Sequence, residues 1–165
     1  MVMLPTTEDT PVIRTDFSDQ DAWEAARAAI LAPGADGELF AAHVEFVDDT
    51  SFADQTPEQI VALVTDEFAA SHPCLFLADK AALTGPDWAV LVIDLEDEKG
   101  RTIRTVADEL FSIEANLSVG NMFFGEFADA AGADGIFRGF GGPSRAELKA
   151  KLPASMLNPS QRRSQ

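Results

Sequence analysis

Two near-continuous apolar runs, CLFLA at residues 74–78 and AVLVIDL at 89–95, constrain this chain more than any other feature. A strand with one wet face alternates apolar and polar residues. A strand apolar throughout must be covered on both faces, so both runs predict central strands of a sheet carrying helices on each side. The connection between them, Lys80 to Trp88, is short for the dozen or so residues a parallel crossover needs.

Other elements group around these two. VIRTDF (12–17) and AHVEFV (42–47) are β-branched and alternating, and read as strands. Ser18 and Asp21 give a capping-box-like start to a helix that runs through Leu31 and closes at Pro33-Gly34. Thr56-Pro57-Glu58-Gln59 combines an N-cap, a proline at the first helical position and a glutamine three residues on. Ile60, Leu63, Val64 and Phe68 supply the apolar stripe of that helix. EDEKG (96–100) is a turn that folds TIRTV (102–106) back as an antiparallel strand.

Within SIEANLSVGNMFFGEFADA (112–130), the stripe of Leu110, Ile113 and Leu117 stops at Gly120, and a second stripe of Phe124, Phe127, Ala128 and Ala131 follows. Two short helices are predicted, the second capped by Asn121, with Asn116 left without a structural role. GIFRGF (135–140) is a short strand or extended edge. The expected architecture is an α/β fold: a mixed sheet of about five strands, parallel in its first half and an antiparallel hairpin in its second, with helices packed on it. Residues 1–10 form a lead-in arm, residues 11–142 a single domain, and residues 143–165 a weak helix with a basic tail.

Charge limits the function classes. The chain carries a formal −16, and between Asp36 and Glu98 fifteen acids face Lys80 alone. From Phe137 onward the balance reverses, with six bases against Glu147. Such a field disfavours nucleic acid and anionic membranes and favours a cationic protein partner. The one cysteine, Cys74, lies inside an apolar run and reads as a buried small hydrophobe in a reducing compartment. No apolar stretch approaches the length of a membrane span, and a basic-then-apolar leader is missing, so a cytoplasmic location is expected.

Two functional readings follow. In the first, the carboxylates Asp48, Asp49, Asp54, Glu58, Asp66 and Glu67 dock on a cationic partner, as in an inhibitor or immunity protein without catalysis or cofactor. In the second, the strand-end aspartates Asp16, Asp48 (with Asp49), Asp79 and Asp94 converge and hold Mg²⁺ for phosphate chemistry, because oxygen-only ligands suit that ion. Asp after a strand also simply caps the next helix or opens a turn. His43 and Glu45, two apart in a strand, share a face and form a weaker acid–base candidate. No phosphate-binding glycine loop, nucleophile elbow, EF-hand pattern or metal-ligand spacing of His and Cys is found.

Taken together, VIRTDFSDQDAWEA, HVEFVDD, TPEQ, NLSVGNMFFGEFADA and DGIFRGF resemble an uncharacterised family of small acidic bacterial proteins, a domain of unknown function. The resemblance runs from about Leu4 to Phe140, and its most recognisable part holds Asn116, Asn121 and Phe127. It implies a shared fold and transfers no activity or catalytic residue.

Overall fold

Strand β1 (Thr10–Arg14) lies between β2 (Val44–Val47) and β3 (Cys74–Ala78), parallel to both. The computed structural model describes residues 2–32 and 42–140, and the expected Pro33-Gly34 stop and the features expected from residue 143 onward fall outside that range. Strand β4 (Val90–Asp94) pairs antiparallel with β3, β5 (Thr102–Thr105) antiparallel with β4, and β6 (Ile136–Phe137) parallel with β5. The result is one mixed six-stranded sheet in the order β2-β1-β3-β4-β5-β6, one strand more than the sequence suggests. The sixth strand is only two residues long and lies within GIFRGF, the segment expected to be a short strand or extended edge.

Alternation within the apolar runs divides them between two cores. Cys74, Phe76, Ala78, Val90 and Val92 face α1 (Gln20–Leu31), α5 (Leu110–Ser118) and α6 (Phe124–Ala130). Leu75, Leu77, Leu91 and Ile93 face α2 (Pro57–Ala62), α3 (Asp66–Ser71) and the arm residues Val2 and Leu4. The short α4 (Lys80–Thr84) joins β3 to β4. Both faces of the central strands are thereby removed from water, which is why their sequences show no polar period.

Local chemistry sets the ends of the elements. Helix α1 is capped by Asp19, whose side chain accepts from the Ala22 N–H, while the N–H of the expected cap Ser18 donates to Asp16. The capping box at Thr56 forms as expected, with Pro57 in the first turn. The single helix expected from there breaks, however. Leu63 and Val64 donate to carbonyls three residues back, and Thr65 recaps by accepting from Phe68, so α2 and α3 are separate. Splitting bends the chain over the sheet without exposing Ile60 or Val64.

The α5–α6 corner assigns a role to both asparagines. Gly120 takes φ of 69°, in the region where a side chain is penalised. Asn116 donates from Nδ2 to the Ser112 carbonyl, and its Oδ1 accepts from Asn121 Nδ2 at 2.8 Å. The Asn116 carbonyl also accepts from the Asn121 N–H. Asn121 is therefore a turn clamp and not the N-cap of α6, a position held by Phe123, whose N–H donates to Glu126 at 2.8 Å.

Candidate functional site

Because β1, β2 and β3 are parallel, the residues that follow them share one sheet edge. Helix α1 leaves β1 on one face and α2 and α3 leave β2 on the other, so the connections diverge around β1 and β3. That divergence is the switch point at which open sheets bind ligands. Asp16, Asp48 and Asp79 all stand there. Asp79 takes a two-pronged pair from Arg104, with N–O distances of 3.0 and 2.7 Å, and also accepts from the Ala82 N–H. Asp48 accepts from Arg14 Nη1 and from the Trp23 indole, each at 3.2 Å.

Arg14 organises this edge. Its side chain is 3% exposed, stacks against the rings of Phe17 and Trp23 at 4.3 and 5.2 Å, and donates to Gln20 and to the Asp16 carbonyl. A buried guanidinium needs such partners, since a charge left buried and unpaired is strongly destabilising. Asp16 accepts from Ser18 through Oδ1, and its Oδ2 is buried without a hydrogen-bond partner.

Asp94 does not join them. Strand β4 runs antiparallel to β3, with Asp94 opposite Cys74, so this carboxylate lies at the other edge of the sheet. There it accepts from the N–H groups of Glu96, Asp97 and Glu98 and shapes the hairpin tip. The four-aspartate coordination sphere is therefore not assembled. Among the described residues, no three His, Cys, Asp or Glu side chains are placed to hold a metal ion. His43 and Glu45 flank Val44 and are exposed, His43 just ahead of β2 and Glu45 within it, and neither lines the cavities described below.

The six carboxylates expected to dock are all exposed and follow one another around the β2 edge and the α2–α3 face. Asp49 caps a 3₁₀ turn at Thr50–Phe52, and its hydrogen bonds from Ser51 hold its carboxyl below the ordinary range. Asp54 has φ of 61°, a conformation Asp tolerates, and its N–H donates to the Thr15 carbonyl at 2.8 Å. Glu58, Asp66 and Glu67 lie in helix first turns, where the exposed N–H groups favour negative charge. Of the six, Asp48 has an ion-pair partner, Arg14; among the described residues no base comes within pairing distance of the other five.

A family model, Domain of unknown function (DUF6924), matches residues 9–140. The chain belongs to that family. The matched span begins one residue before β1 and ends with the last described residue, so the DUF6924 unit is the six-stranded sheet with its helices. A search of curated proteins finds no significant match.

Several organising residues of this DUF6924 fold escape the sequence analysis. Arg14 and Arg104 each neutralise a strand-end aspartate, and a lone arginine within a β-branched run is the available signal for both. Glu114 is 4% exposed and accepts from Thr10, Ser118 and the His43 N–H at 3.0–3.4 Å. Cavities open among the described residues as well. One of about 440 Å³ lies between the arm and α2–α3, with His72 bonded to Thr7 in its wall and Glu67 also lining it. The other, about 320 Å³, contains Asp87, Trp88, Asp108, Glu109 and Arg138. No helix among the described residues is long and apolar enough to cross a membrane.

Proposed function

We propose that this DUF6924 protein is a non-catalytic acidic binding protein of the inhibitor or immunity type, acting in the cytoplasm. Its partner is a protein with a cationic surface, met by Asp48, Asp49, Asp54, Glu58, Asp66 and Glu67. The observation that carries this reading is the set of five exposed carboxylates on residues 49–67 with no base in pairing distance among the described residues. Carboxylates left without local compensation retain their field for a partner, raising association rates about 10- to 1,000-fold at low salt. The strand-end aspartates support the reading from the other side, since Asp79 is already committed to Arg104, while Asp48, paired with Arg14, still exposes 42% of its side chain to a partner.

The test compares the native chain with a variant carrying Asp49→Asn, Asp54→Asn, Glu58→Gln, Asp66→Asn and Glu67→Gln. These changes keep the Asp49 cap and the φ of Asp54 while removing five charges. Each protein is used to capture partners from an extract of the source organism at ionic strengths of about 0.01 M and about 1 M, where the screening length falls from about 30 Å to about 3 Å. The native chain is expected to retain a basic protein only at low salt, and the variant to lose it while keeping the same circular dichroism. Retention that ignores salt, or equal retention by the variant, removes the basis for this function.

A further inference from the structure

The 320 Å³ cleft lies at the same sheet edge as Asp16 and Asp79. Its walls are the loop before β4, the 3₁₀ turn Ala107–Glu109 after β5, and Arg138 just past β6. The Ala107 N–H donates to the Asp87 carbonyl and ties the first two walls together. Half-buried Trp88 is held at φ of 49°, unusual for a bulky side chain, between Asp87 and the core. Three carboxylates, Asp87, Asp108 and Glu109, line this space with the indole. Arg138 is engaged by Asp134 at 2.7 and 3.2 Å, an interaction that raises its pKa and lowers that of Asp134.

The chain leaves the described fold beside this cleft. A Cβ placed on Gly139 would stand 3.6 Å from Glu109 Oε1, and the Phe140 ring packs on Phe127 and Phe137. The 25 residues that follow hold five bases (Arg145, Lys149, Lys151, Arg162, Arg163) and one acid, Glu147. They therefore carry +4 of the net −16, leaving −20 on residues 1–140. Arg145 is five residues beyond Phe140, a reach of up to about 17 Å at full extension.

We propose that residues 141–165 dock in cis on this cleft, placing guanidinium or ammonium groups among Asp87, Asp108 and Glu109 and against the face of Trp88. The chemistry is matched, since a cation over an indole gains about 0.5–2 kcal/mol in addition to its ion pairs. Attachment at the cleft's rim gives the segment an effective concentration on the order of millimolar, which an external peptide must exceed to compete. The cleft is then a self-occupied site, while the carboxylates of residues 48–67 face solvent. This proposal requires no external partner and stands or falls separately from the proposed function.

The experiment is carbodiimide cross-linking of the full-length native chain, which joins a lysine amine to a carboxylate only when they touch, with the linked peptides read by mass spectrometry. At low ionic strength Lys149 or Lys151 is expected to link to Asp87, Asp108 or Glu109 within the monomer. The yield should fall several-fold at about 1 M salt, where screening reaches about 3 Å. The links should vanish in a variant carrying Asp87→Asn, Asp108→Asn and Glu109→Gln, whose circular dichroism shows that it is folded. A second readout is Trp88 emission, which should respond to salt in the native chain. It should not respond when Arg145, Lys149, Lys151, Arg162 and Arg163 are all changed to glutamine. Links from Lys149 and Lys151 to residues 48–67, links only between molecules, or no links at all would overturn the proposal.

Discussion

Cys74 shows how much one position can be governed by what surrounds it. Its side chain has no exposed surface, and burial pushes the thiol well above its ordinary range, with Glu114, Asp94 and Glu96 acting in the same direction. Only the thiolate reacts, so the folded chain should resist a thiol reagent at pH 8 while the unfolded chain is modified fully. Rapid modification of the folded form would contradict the burial. The sign of the pH effect follows from the same shift. Folding favours the protonated thiol, so its contribution is complete below about pH 8.5, where exposed thiols ionise, and is lost as pH rises toward the folded value. Over that window the native chain should lose about 1.4 kcal/mol per pH unit more than Cys74→Ala, measured by urea unfolding. The burial of Cys74 was legible because the run around it is apolar. The role of Arg14 was not legible, since its partners Asp48, Gln20 and Trp23 are fixed only when the crossover closes.

At the level of elements, the β4–β5 hairpin depends on one carboxylate. Asp94 is 1% exposed and accepts from three successive N–H groups, at 3.0, 3.2 and 2.6 Å, while Gly100 closes the turn at φ of 96°. Hydrogen bonds to a charged group contribute about 1.5–3 kcal/mol each, but the N–H groups of this exposed tip regain water when released. Asp94→Ala is therefore expected to cost about 2–3 kcal/mol in denaturant unfolding, and Asp94→Asn, which keeps one acceptor in place, less. A loss under 0.5 kcal/mol for the alanine variant would show that the tip holds itself without Asp94. Most elements were legible because caps and stripes are local: Thr56 and Gln59 close their box within four residues, and the apolar runs announce β3 and β4. The break between α2 and α3 was not, because the stripe from Ile60 to Phe68 is compatible with one helix. Only the packing of α2 and α3 against Leu75 and Leu77 selects the bend. The meeting of the strand-end aspartates was half legible. The short β3–β4 connection favours an antiparallel pair, and that pairing separates Asp94 from Asp16, Asp48 and Asp79.

For the whole molecule, the governing quantity is the net charge of −16 on 165 residues. Like charges on a compact body repel, and unfolding relieves the repulsion by spreading them apart, so the charge that favours a cationic partner also lowers stability. Salt acts on this balance in two directions. It screens repulsion among exposed carboxylates, and it weakens the attractive pairs. The attractive pairs that matter most are short and partly buried: Arg104–Asp79 at 2.7 Å and Arg14–Asp48 at 3.2 Å, with Arg14 only 3% exposed. Distances this far inside the screening length are affected little, whereas carboxylates spread over the surface at 10 Å or more are affected strongly, the screening length being about 10 Å at 0.1 M. Relief of repulsion therefore wins at neutral pH. Raising ionic strength from about 0.01 M to about 0.15 M at pH 7 should raise Tm by a few degrees, about 2–4 °C for each 1 kcal/mol gained. Acid reverses the gain from a different source. Asp49 and Asp134 are held below the ordinary carboxylate range by their hydrogen bonds, so below about pH 4 the unfolded chain takes up their protons first, and the stability they contribute is lost as pH falls through their folded values. Calorimetry at pH 7 over a salt series decides the first point. A Tm that falls with salt would mean that attraction between the surface charges, not repulsion, dominates this DUF6924 fold.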